Sequence, residues 1–297
     1  MQYSSAEARA GTIKKTNRAT LGAIALWGHA KIRIRGHEDT AQKIRIYKER
    51  EDHVSEKLGE KVALVTGGAR GIGLSIAKAL VREGASLFIC GHNPATLEVA
   101  LGELHVLGRE GRADGAVADI RNYEECRSVV QGVAKRFGRL DILVNNAGIG
   151  IFKPVDQFAI EEWDSTIQTN LSGVFYCCHE AIPIMRLGGG GHIFNISSLL
   201  AIHGIAGGTA YCASKFGVNG LTEAMMQDVR YDGIRVSTIM PGSVATDFGG
   251  TEGSNLHESW KLSGEDVAKA VIDIYRYPGT ALVSRIEIRP SQPPHKA

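Results

Sequence analysis

The stretch Lys61-Val-Ala-Leu-Val-Thr66, followed directly by Gly67-Gly-Ala-Arg-Gly71-Ile-Gly73, decides the fold of this chain. Its first half is a short apolar strand, and residues 74–83 after the glycines have the pattern of an amphipathic helix. Glycines let the backbone approach a ligand closely, and the N-terminus of a helix favours anions. Strand, glycine loop and helix in this order are typical of a dinucleotide pyrophosphate site. The spacing is G-x-x-x-G-x-G rather than the commoner G-x-G-x-x-G.

From this point strands and helices alternate to the C-terminus. The predicted strands cover residues 61–66, 86–90, 115–118, 141–144, 192–196, 234–239 and 281–288. The predicted helices cover residues 74–83, 94–107, 123–137, 162–185, 211–230 and 263–275. The alternation predicts the α/β class: a doubly wound, Rossmann-type parallel sheet of seven strands in a three-layer single domain over residues 59–290. Residues 291–297 form a short tail.

A tyrosine and a lysine stand one helical turn apart near the start of the predicted helix 211–230. Tyr211 and Lys215 therefore lie on the same helix face. A nearby cation favours a phenolate, so we expect the pKa of Tyr211 to lie below its usual value of about 10. Ser198 follows the predicted strand 192–196, at the strand end where open α/β sheets bind ligands. Together these residues predict a proton donor and acceptor beside a second hydroxyl.

Composition excludes several classes of function. The hydrophobic content of 43% and charged content of 22% are typical of a globular protein, and the net charge of +2 argues against a nucleic-acid or membrane role. The five cysteines show no ligand spacing, so they predict reduced core thiols and no metal site. No apolar run reaches the roughly 18 residues that span a bilayer. We expect a cytoplasmic protein.

Residues 1–58 form a basic extension that differs from the rest of the chain. Residues 31–35 and 43–47 alternate around a polar turn, as in a weak amphipathic hairpin, and residues 19–27 faintly resemble the apolar part of a signal peptide. Three interpretations stay open: a disordered basic tail, an organellar or membrane-surface address, or sequence translated from upstream of the true start. The first and third are favoured.

The ordered set of motifs resembles the short-chain dehydrogenase/reductase family, of the single-domain type, over residues 60–289. The motifs are Thr66-Gly67-x-x-x-Gly71-Ile72-Gly73, Asp119, Asn145-Asn146-Ala147-Gly148, Asn170, Ser198, Tyr211-x-x-x-Lys215 and Pro241-Gly242-x-Val244-x-Thr246.

The resemblance implies a catalytic role for four residues. Tyr211 would be the general acid in carbonyl reduction and the base in the reverse direction. Ser198 would hold the substrate oxygen, and Lys215 would lower the pKa of Tyr211 and bind the nicotinamide ribose. Asn170 would anchor a water of the proton relay; an exposed helical Asn is the simpler alternative.

The resemblance also implies the residues that bind the cofactor. Asn146, Ala147 and Gly148 would lie beside the adenosine ribose. Asp119, with Ile120 after it, would bind the adenine amino group, although a strand-end Asp that caps the next helix is an alternative. The remaining members of the set are Gly67, Ala69, Arg70, Gly71, Ile72, Gly73, His92, Tyr211, Lys215, Pro241, Gly242, Val244 and Thr246.

NADP(H) is the expected cofactor, with NAD(H) as the alternative. NAD-preferring relatives place an Asp at the end of the second strand, where it accepts from the ribose hydroxyls. Here no acid lies between Gly84 and Leu97. Arg70 and His92 could bind a 2′-phosphate instead; a solvated loop residue is the alternative interpretation of Arg70.

The expected function is NADP(H)-dependent reduction of a ketone or 3-oxoacyl carbonyl to an alcohol. The alternatives are an NAD-dependent alcohol dehydrogenase of the same family and a catalytically silent cofactor-binding scaffold. Phe248 and Trp260 of the segment 243–262, with His203 and Ile205 across the cleft, are the candidates for substrate contact. A homodimer or homotetramer is expected, through the helices that start near Glu162 and Tyr211.

Overall fold

The computed structural model describes residues 58–108, 111–246, 248 and 258–294, and the backbone of residues 26–27 and 30–31. The chain divides into two compact units, Met1–Val54 and Ser55–Ala297. In the first unit, Leu26–Trp27 pairs antiparallel with Ala30–Lys31. The predicted hairpin over residues 31–35 and 43–47 lies outside the described residues, except for Lys31. The limits proposed for the extension and the tail stay predictions.

The second unit is built on one seven-stranded parallel sheet. In chain order, its strands are β1 (Val62–Thr66), β2 (Ser86–Gly91), β3 (Ala113–Val117), β4 (Ile142–Asn145), β5 (Gly191–Ile196), β6 (Ile234–Pro241) and β7 (Arg285–Ile288). Their spatial order is β3-β2-β1-β4-β5-β6-β7, and every neighbouring pair is parallel. This confirms the predicted doubly wound α/β fold. The central strands are continuous apolar runs because helices cover both of their faces.

Seven α-helices connect the strands in the described part of this unit. They are α1 (Gly71–Arg82), α2 (Pro94–Leu107), α3 (Tyr123–Phe137), α4 (Ile160–Ile167), α5 (Gly173–Leu187), α6 (Thr209–Val229) and α7 (Gly264–Tyr275). Side-chain caps fix three of the helix starts: Asn93 for α2, Asn122 for α3 and Ser263 for α7.

The structure differs from the prediction mainly between residues 160 and 187. One continuous helix over 162–185 was predicted, but a π-helical turn, Gln168–Ser172, separates α4 from α5. The last strand is also shorter than predicted, since it covers only Arg285–Ile288. Helix α1 begins at Gly71, inside the glycine loop, rather than at Leu74.

The hydrophobic core consists of two clusters, one on each face of the sheet. Helices α1 and α7 pack together over one face, with Ile76 and Val271 fully buried between them and the strands. Helices α3, α5 and α6 cover the other face, with Val130 and Ala181 in their core. Because all seven strands are parallel, their carboxyl ends lie at one edge of the sheet, where the candidate site lies. Among the described helices, none is long and apolar enough to cross a membrane.

Candidate active site

The glycine loop between β1 and α1 has a backbone that side chains would block. Gly67 and Gly71 have φ values of 61° and 54°, in the left-handed region that favours glycine. A Cβ on Gly73 would lie 2.2 Å from the carbonyl oxygen of Gly67 and 2.4 Å from Nδ2 of Asn146. The loop therefore offers a bare backbone surface in front of the N-terminus of α1. The residues present fit a dinucleotide pyrophosphate, which binds such a surface.

The ends of β1 and β4 are held together beside this loop. The hydroxyl of Thr66 accepts hydrogen bonds from the backbone N–H groups of Asn146, at 3.0 Å, and Ala147, at 3.1 Å. The side-chain amide of Asn146 donates in return to the carbonyl oxygens of Thr66 and Gly67, at 3.0 and 3.1 Å. Residues 146–148 thus form a fixed backbone edge next to the glycine loop, at the position where the sequence places the adenosine ribose.

The end of β2 carries no carboxylate. Gly91 ends the strand, and a Cβ there would lie 3.5 Å from that of Ala69, so this strand end faces the glycine loop. Asn93 caps α2 by accepting from the N–H of Thr96, at 3.1 Å. Arg70 and His92 are exposed, and the side chain of Arg70 makes no capping bond to α1. Two basic side chains are therefore available at this end of the site.

Asp119 lies at the same edge, in an ion pair that the sequence did not predict. Its carboxylate accepts two hydrogen bonds from Nε of Arg121, at 3.0 and 2.8 Å, and one from its Nη2 at 2.5 Å. The Arg121 guanidinium holds the pKa of Asp119 below its usual value. Asp119 does not cap the next helix, because Asn122 occupies that position.

Ile120, also predicted to bind cofactor, has a buried side chain in the core cluster under α3. Its carbonyl oxygen accepts from Sγ of Cys126 at 3.2 Å.

The segment after β6 returns to the glycine loop. Gly242 donates from its N–H to the carbonyl oxygen of Ile288, at 2.8 Å, and Val244 forms a parallel bridge with Leu262. The methyl group of Thr246 lies 3.5 Å from the position a Cβ would take on Gly71. The structure thus places Thr246 against the loop that the sequence assigns to the pyrophosphate, and Pro241 at the end of β6.

The predicted catalytic side chains meet where β5 and α6 adjoin. Tyr211 and Lys215 lie in the first two turns of α6, and Ser198 follows β5. The Ser198 hydroxyl lies near the Tyr211 phenol and favours its ionised form. Nζ of Lys215 donates to the carbonyl oxygen of Ile196 at 2.8 Å and lies 5.8 Å from the centroid of the Tyr211 ring. All three side chains are buried, so their geometry is fixed by packing.

Burial dominates the protonation of this group. It raises the pKa of Tyr211 to about 12, against the opposing effect of the Ser198 hydrogen bond. It lowers the pKa of Lys215 to about 8. The prediction that Lys215 brings the pKa of Tyr211 below its usual value is therefore wrong for this structure. Desolvation of the phenolate is the largest influence on this pKa, and it outweighs the lowering effect of Ser198.

Asn170 lies in the π-helical turn and is fully buried. Its Oδ1 accepts from the N–H of Ile149 at 2.8 Å, and its Nδ2 donates to the carbonyl oxygen of Ile149 at 2.9 Å and to the hydroxyl of Ser214 at 3.0 Å. The alternative of an exposed helical Asn is therefore wrong. Asn170 ties the segment after β4 to helix α6, and π-turns are frequent at functional sites.

Two phenylalanines flank the Tyr211 ring. The ring centroid of Phe152 lies 5.5 Å from that of Tyr211, and that of Phe248 lies 5.7 Å from it. Phe248 was a candidate from the sequence, whereas Phe152 was missed, because a single apolar residue in an irregular segment carries no periodic signal. His203 and Ile205 are exposed. Trp260 lies elsewhere, in a groove between α7 and the residues that follow β7.

Comparisons with known proteins find related sequences. The sequence model of the family described as short chain dehydrogenase matches residues 61–256. A 3alpha-hydroxysteroid dehydrogenase of Mediterraneibacter gnavus is 37% identical over 191 residues, which are 64% of this chain and 76% of the relative. A D-threitol dehydrogenase of Mycolicibacterium smegmatis is 36% identical over 221 residues, or 74% and 82% of the two chains.

Solved structures of related proteins have a similar fold. An alcohol dehydrogenase of the archaeon Thermococcus sibiricus, complexed with 5-hydroxy-NADP, superposes with a TM-score of 0.73 at 29% identity. The match covers 80% of this chain and 99% of that one. A metagenomic short-chain oxidoreductase in complex with NADP gives a TM-score of 0.69 at 30% identity, over 80% and 100% of the two chains.

Proposed function

The chain belongs to the short-chain dehydrogenase family, whose members are NAD(P)-dependent oxidoreductases of CH–OH and C=O groups, and we propose that it uses NADP(H) to reduce a ketone or 3-oxoacyl carbonyl to an alcohol. The observation that carries the proposal is the meeting of Ser198, Tyr211 and Lys215 at the carboxyl edge of the sheet. The glycine loop that fits a dinucleotide lies at the same edge.

In this proposal Tyr211 delivers the proton. The Tyr211 phenol holds its proton at neutral pH, so it can donate that proton to a carbonyl oxygen as negative charge develops there. Ser198, which lies near the Tyr211 hydroxyl, holds the same oxygen and stabilises that charge. The bound nicotinamide supplies the hydride.

Lys215 and Asn170 support this pair. The Lys215 ammonium is fixed by its bond to the carbonyl oxygen of Ile196, and it supplies positive charge beside the phenol as the proton leaves. Asn170 holds the segment after β4 against α6 and would anchor the water of the proton relay. The resulting arrangement keeps the reacting groups in place before the substrate binds, which is the main way that a site gains rate from orientation.

The basic end of the site supports NADP(H) over NAD(H). Arg70 and His92 are exposed at the edge of the glycine loop, and no acid follows β2 to repel a 2′-phosphate. The two solved relatives described above contain NADP or its 5-hydroxy derivative. In the adenine region, Asp119 would bind the amino group with its Arg121 ion pair in place.

We also propose that the enzyme is a cytoplasmic homodimer or homotetramer. Phe175 on α5 and Phe216 on α6 are each about half exposed, at 49% and 48%, and Gly220 has open space beside it. A second copy would cover this apolar surface. Sedimentation at micromolar concentration tests the assembly, and a monomer alone would contradict it.

Titration of NADPH and NADH into the purified protein, read by nicotinamide fluorescence, tests the function first. We expect tight binding of NADPH and weak binding of NADH. Addition of ketones at pH 7 should then lead to oxidation of NADPH. Preferred binding of NADH would favour an NAD-dependent alcohol dehydrogenase. Binding of NADPH without turnover of any ketone or alcohol would instead favour a silent scaffold.

A further inference from the structure

The two phenylalanines beside Tyr211 converge on one glycine. A Cβ on Gly150 would lie 2.6 Å from the ring of Phe248 and 2.9 Å from that of Phe152, so both rings pack over the bare backbone of this residue. Phe152 remains 46% exposed and Phe248 41% exposed. Both rings therefore lie against the buried ring of Tyr211 and still present apolar surface to the outside.

Most polar groups around Tyr211 already have hydrogen-bond partners within the protein. The amide of Asn170 is fully buried and bonded to Ile149 and Ser214. The ammonium of Lys215 is buried and donates to Ile196. The hydroxyls of Ser198 and Tyr211 lie near each other and can share one substrate oxygen. Within the described residues, the centre of the site thus offers a place for one oxygen atom, flanked by aromatic carbon.

We infer that the substrate is an apolar cyclic ketone, whose ring packs against Phe152 and Phe248 while its one carbonyl oxygen reaches Ser198 and Tyr211. Burial of a hydrocarbon ring against aromatic faces is favourable, whereas each hydroxyl of a polyol placed there would lose its hydrogen bonds to water. This inference rests on the proposed function. The balanced reaction takes one ketone, one NADPH and one proton to one secondary alcohol and one NADP⁺.

Steady-state kinetics on the full chain with NADPH at pH 7 test the inference. The probes are 1-decalone, an apolar bicyclic ketone, and erythrulose, a hydroxylated open-chain ketone. We expect kcat/KM for 1-decalone to exceed that for erythrulose by about 100-fold or more, because several buried CH₂ groups contribute. Phe152→Ala and Phe248→Ala should each lower the 1-decalone value about ten-fold and lower the erythrulose value by much less.

Tyr277→Ala is the matched control. Tyr277 is 51% exposed, similar to the two phenylalanines, but it lies just after α7. The Tyr277→Ala variant should keep the wild-type kcat/KM for both ketones.

Equilibrium binding gives a second readout, independent of turnover. The Tyr211→Phe variant with NADPH present should bind 1-decalone, and adding Phe248→Ala should weaken the affinity about ten-fold in calorimetry.

The contrary results separate this inference from the function on which it rests. Erythrulose reduced as well as 1-decalone or better would overturn the inference and leave the proposed function intact. If Phe152→Ala and Phe248→Ala lowered kcat/KM equally for both ketones, the inference would also be overturned, since the rings would then only position Tyr211. Failure to reduce any ketone, with NADPH bound, would overturn both.

Discussion

The ammonium nitrogen of Lys215 lies 5.8 Å from the centroid of the Tyr211 ring, and both side chains are buried. Burial moves their pKa values apart, from 10.0 to about 12 for the phenol and from 10.5 to about 8 for the amine. In both cases it disfavours the charged form. The phenol therefore keeps its proton at neutral pH, which is the form in which it can act as a general acid.

Replacement of Tyr211 by Phe removes the proton and keeps the ring. We expect kcat for ketone reduction to fall by at least about 1000-fold, since general-acid catalysis supplies a factor of this order. NADPH affinity, measured by nicotinamide fluorescence, should stay within about three-fold of the wild type, because the aromatic packing survives. Turnover close to that of the wild type would exclude Tyr211 as the general acid.

The pKa of Lys215 makes stability depend on pH in a defined direction. Its folded value of about 8 lies below the unfolded value of 10.5, so the unfolded chain binds more protons between these values. This contribution to stability is complete above pH 10.5 and is lost as the pH falls through about 8. Between pH 7 and pH 9.5, the free energy of unfolding of the wild type should therefore rise by about 2 kcal/mol relative to that of Lys215→Met.

Urea unfolding of the two proteins at each pH measures this difference. Titrations elsewhere in the chain are common to both proteins and cancel. The hydrogen bond that Lys215→Met loses to Ile196 shifts the curves by a constant and does not change the slope. A difference that stays flat with pH would mean that Lys215 is not desolvated as the structure indicates.

Arg70 is expected to recognise the 2′-phosphate. Arg70→Ala should raise the dissociation constant of NADPH by about 10- to 100-fold, which corresponds to the loss of one charge-assisted hydrogen bond. The dissociation constant of NADH should change by no more than about two-fold. Arg82→Ala is the control, because it removes the same charge from the exposed far end of α1. Equal weakening of the two nucleotides would show that Arg70 does not bind the phosphate.

Gly73 tests the backbone of the nucleotide loop. Gly73→Ala places a methyl group 2.2 Å from the carbonyl oxygen of Gly67, so the loop must move and NADPH affinity should fall at least about ten-fold. Gly102→Ala serves for comparison, since nothing lies within 4 Å of the new Cβ on α2. The Gly102 variant should bind NADPH normally and gain about 0.5 to 1 kcal/mol in urea unfolding. Unchanged affinity in the Gly73 variant would mean that nucleotide binding does not use this loop.

Asn170 is predicted to combine a structural with a positioning role. Asn170→Ala leaves the N–H and carbonyl of Ile149 without their partner, which should cost about 2 to 4 kcal/mol and lower kcat about ten-fold or more. Asn122→Ala removes only the cap of α3, so it should cost about 1 kcal/mol and leave kcat unchanged. If kcat of Asn170→Ala matched the wild type at a temperature where both are folded, the positioning role would be wrong.

The sequence could predict the fold because its features are local and repeated. The spacing of apolar residues identifies the alternating strands and helices, beginning with β1 and α1. The ends of the predicted strands then indicate the binding edge of the sheet. The four-residue spacing of Tyr211 and Lys215 likewise fixes their common helix face. Asn170 was identified by the family resemblance, but the π-turn around it leaves no signature in a pattern of apolar residues.

The remaining differences arise from distances that only the folded chain sets. Arg121 could have faced solvent, and its pairing with Asp119 depends on the turn after β3. The pKa of Tyr211 was predicted in the wrong direction because sequence shows that Lys215 is near but not how far water is excluded. Phe152 could not be identified at all before the segment after β4 was seen to return to α6.

The π-turn at Gln168–Ser172 also constrains the length of the chain. Gly173 starts α5 directly after it, and a Cβ there would lie 2.8 Å from the carbonyl oxygen of Ile120. Deletion of one residue from the turn would restore a regular helix but rotate all of α5 by about 100°. A residue with a side chain would then face Ile120, and Asn170 would lose its register with Ile149. Alignments of working relatives should therefore show substitutions in this turn but no gaps.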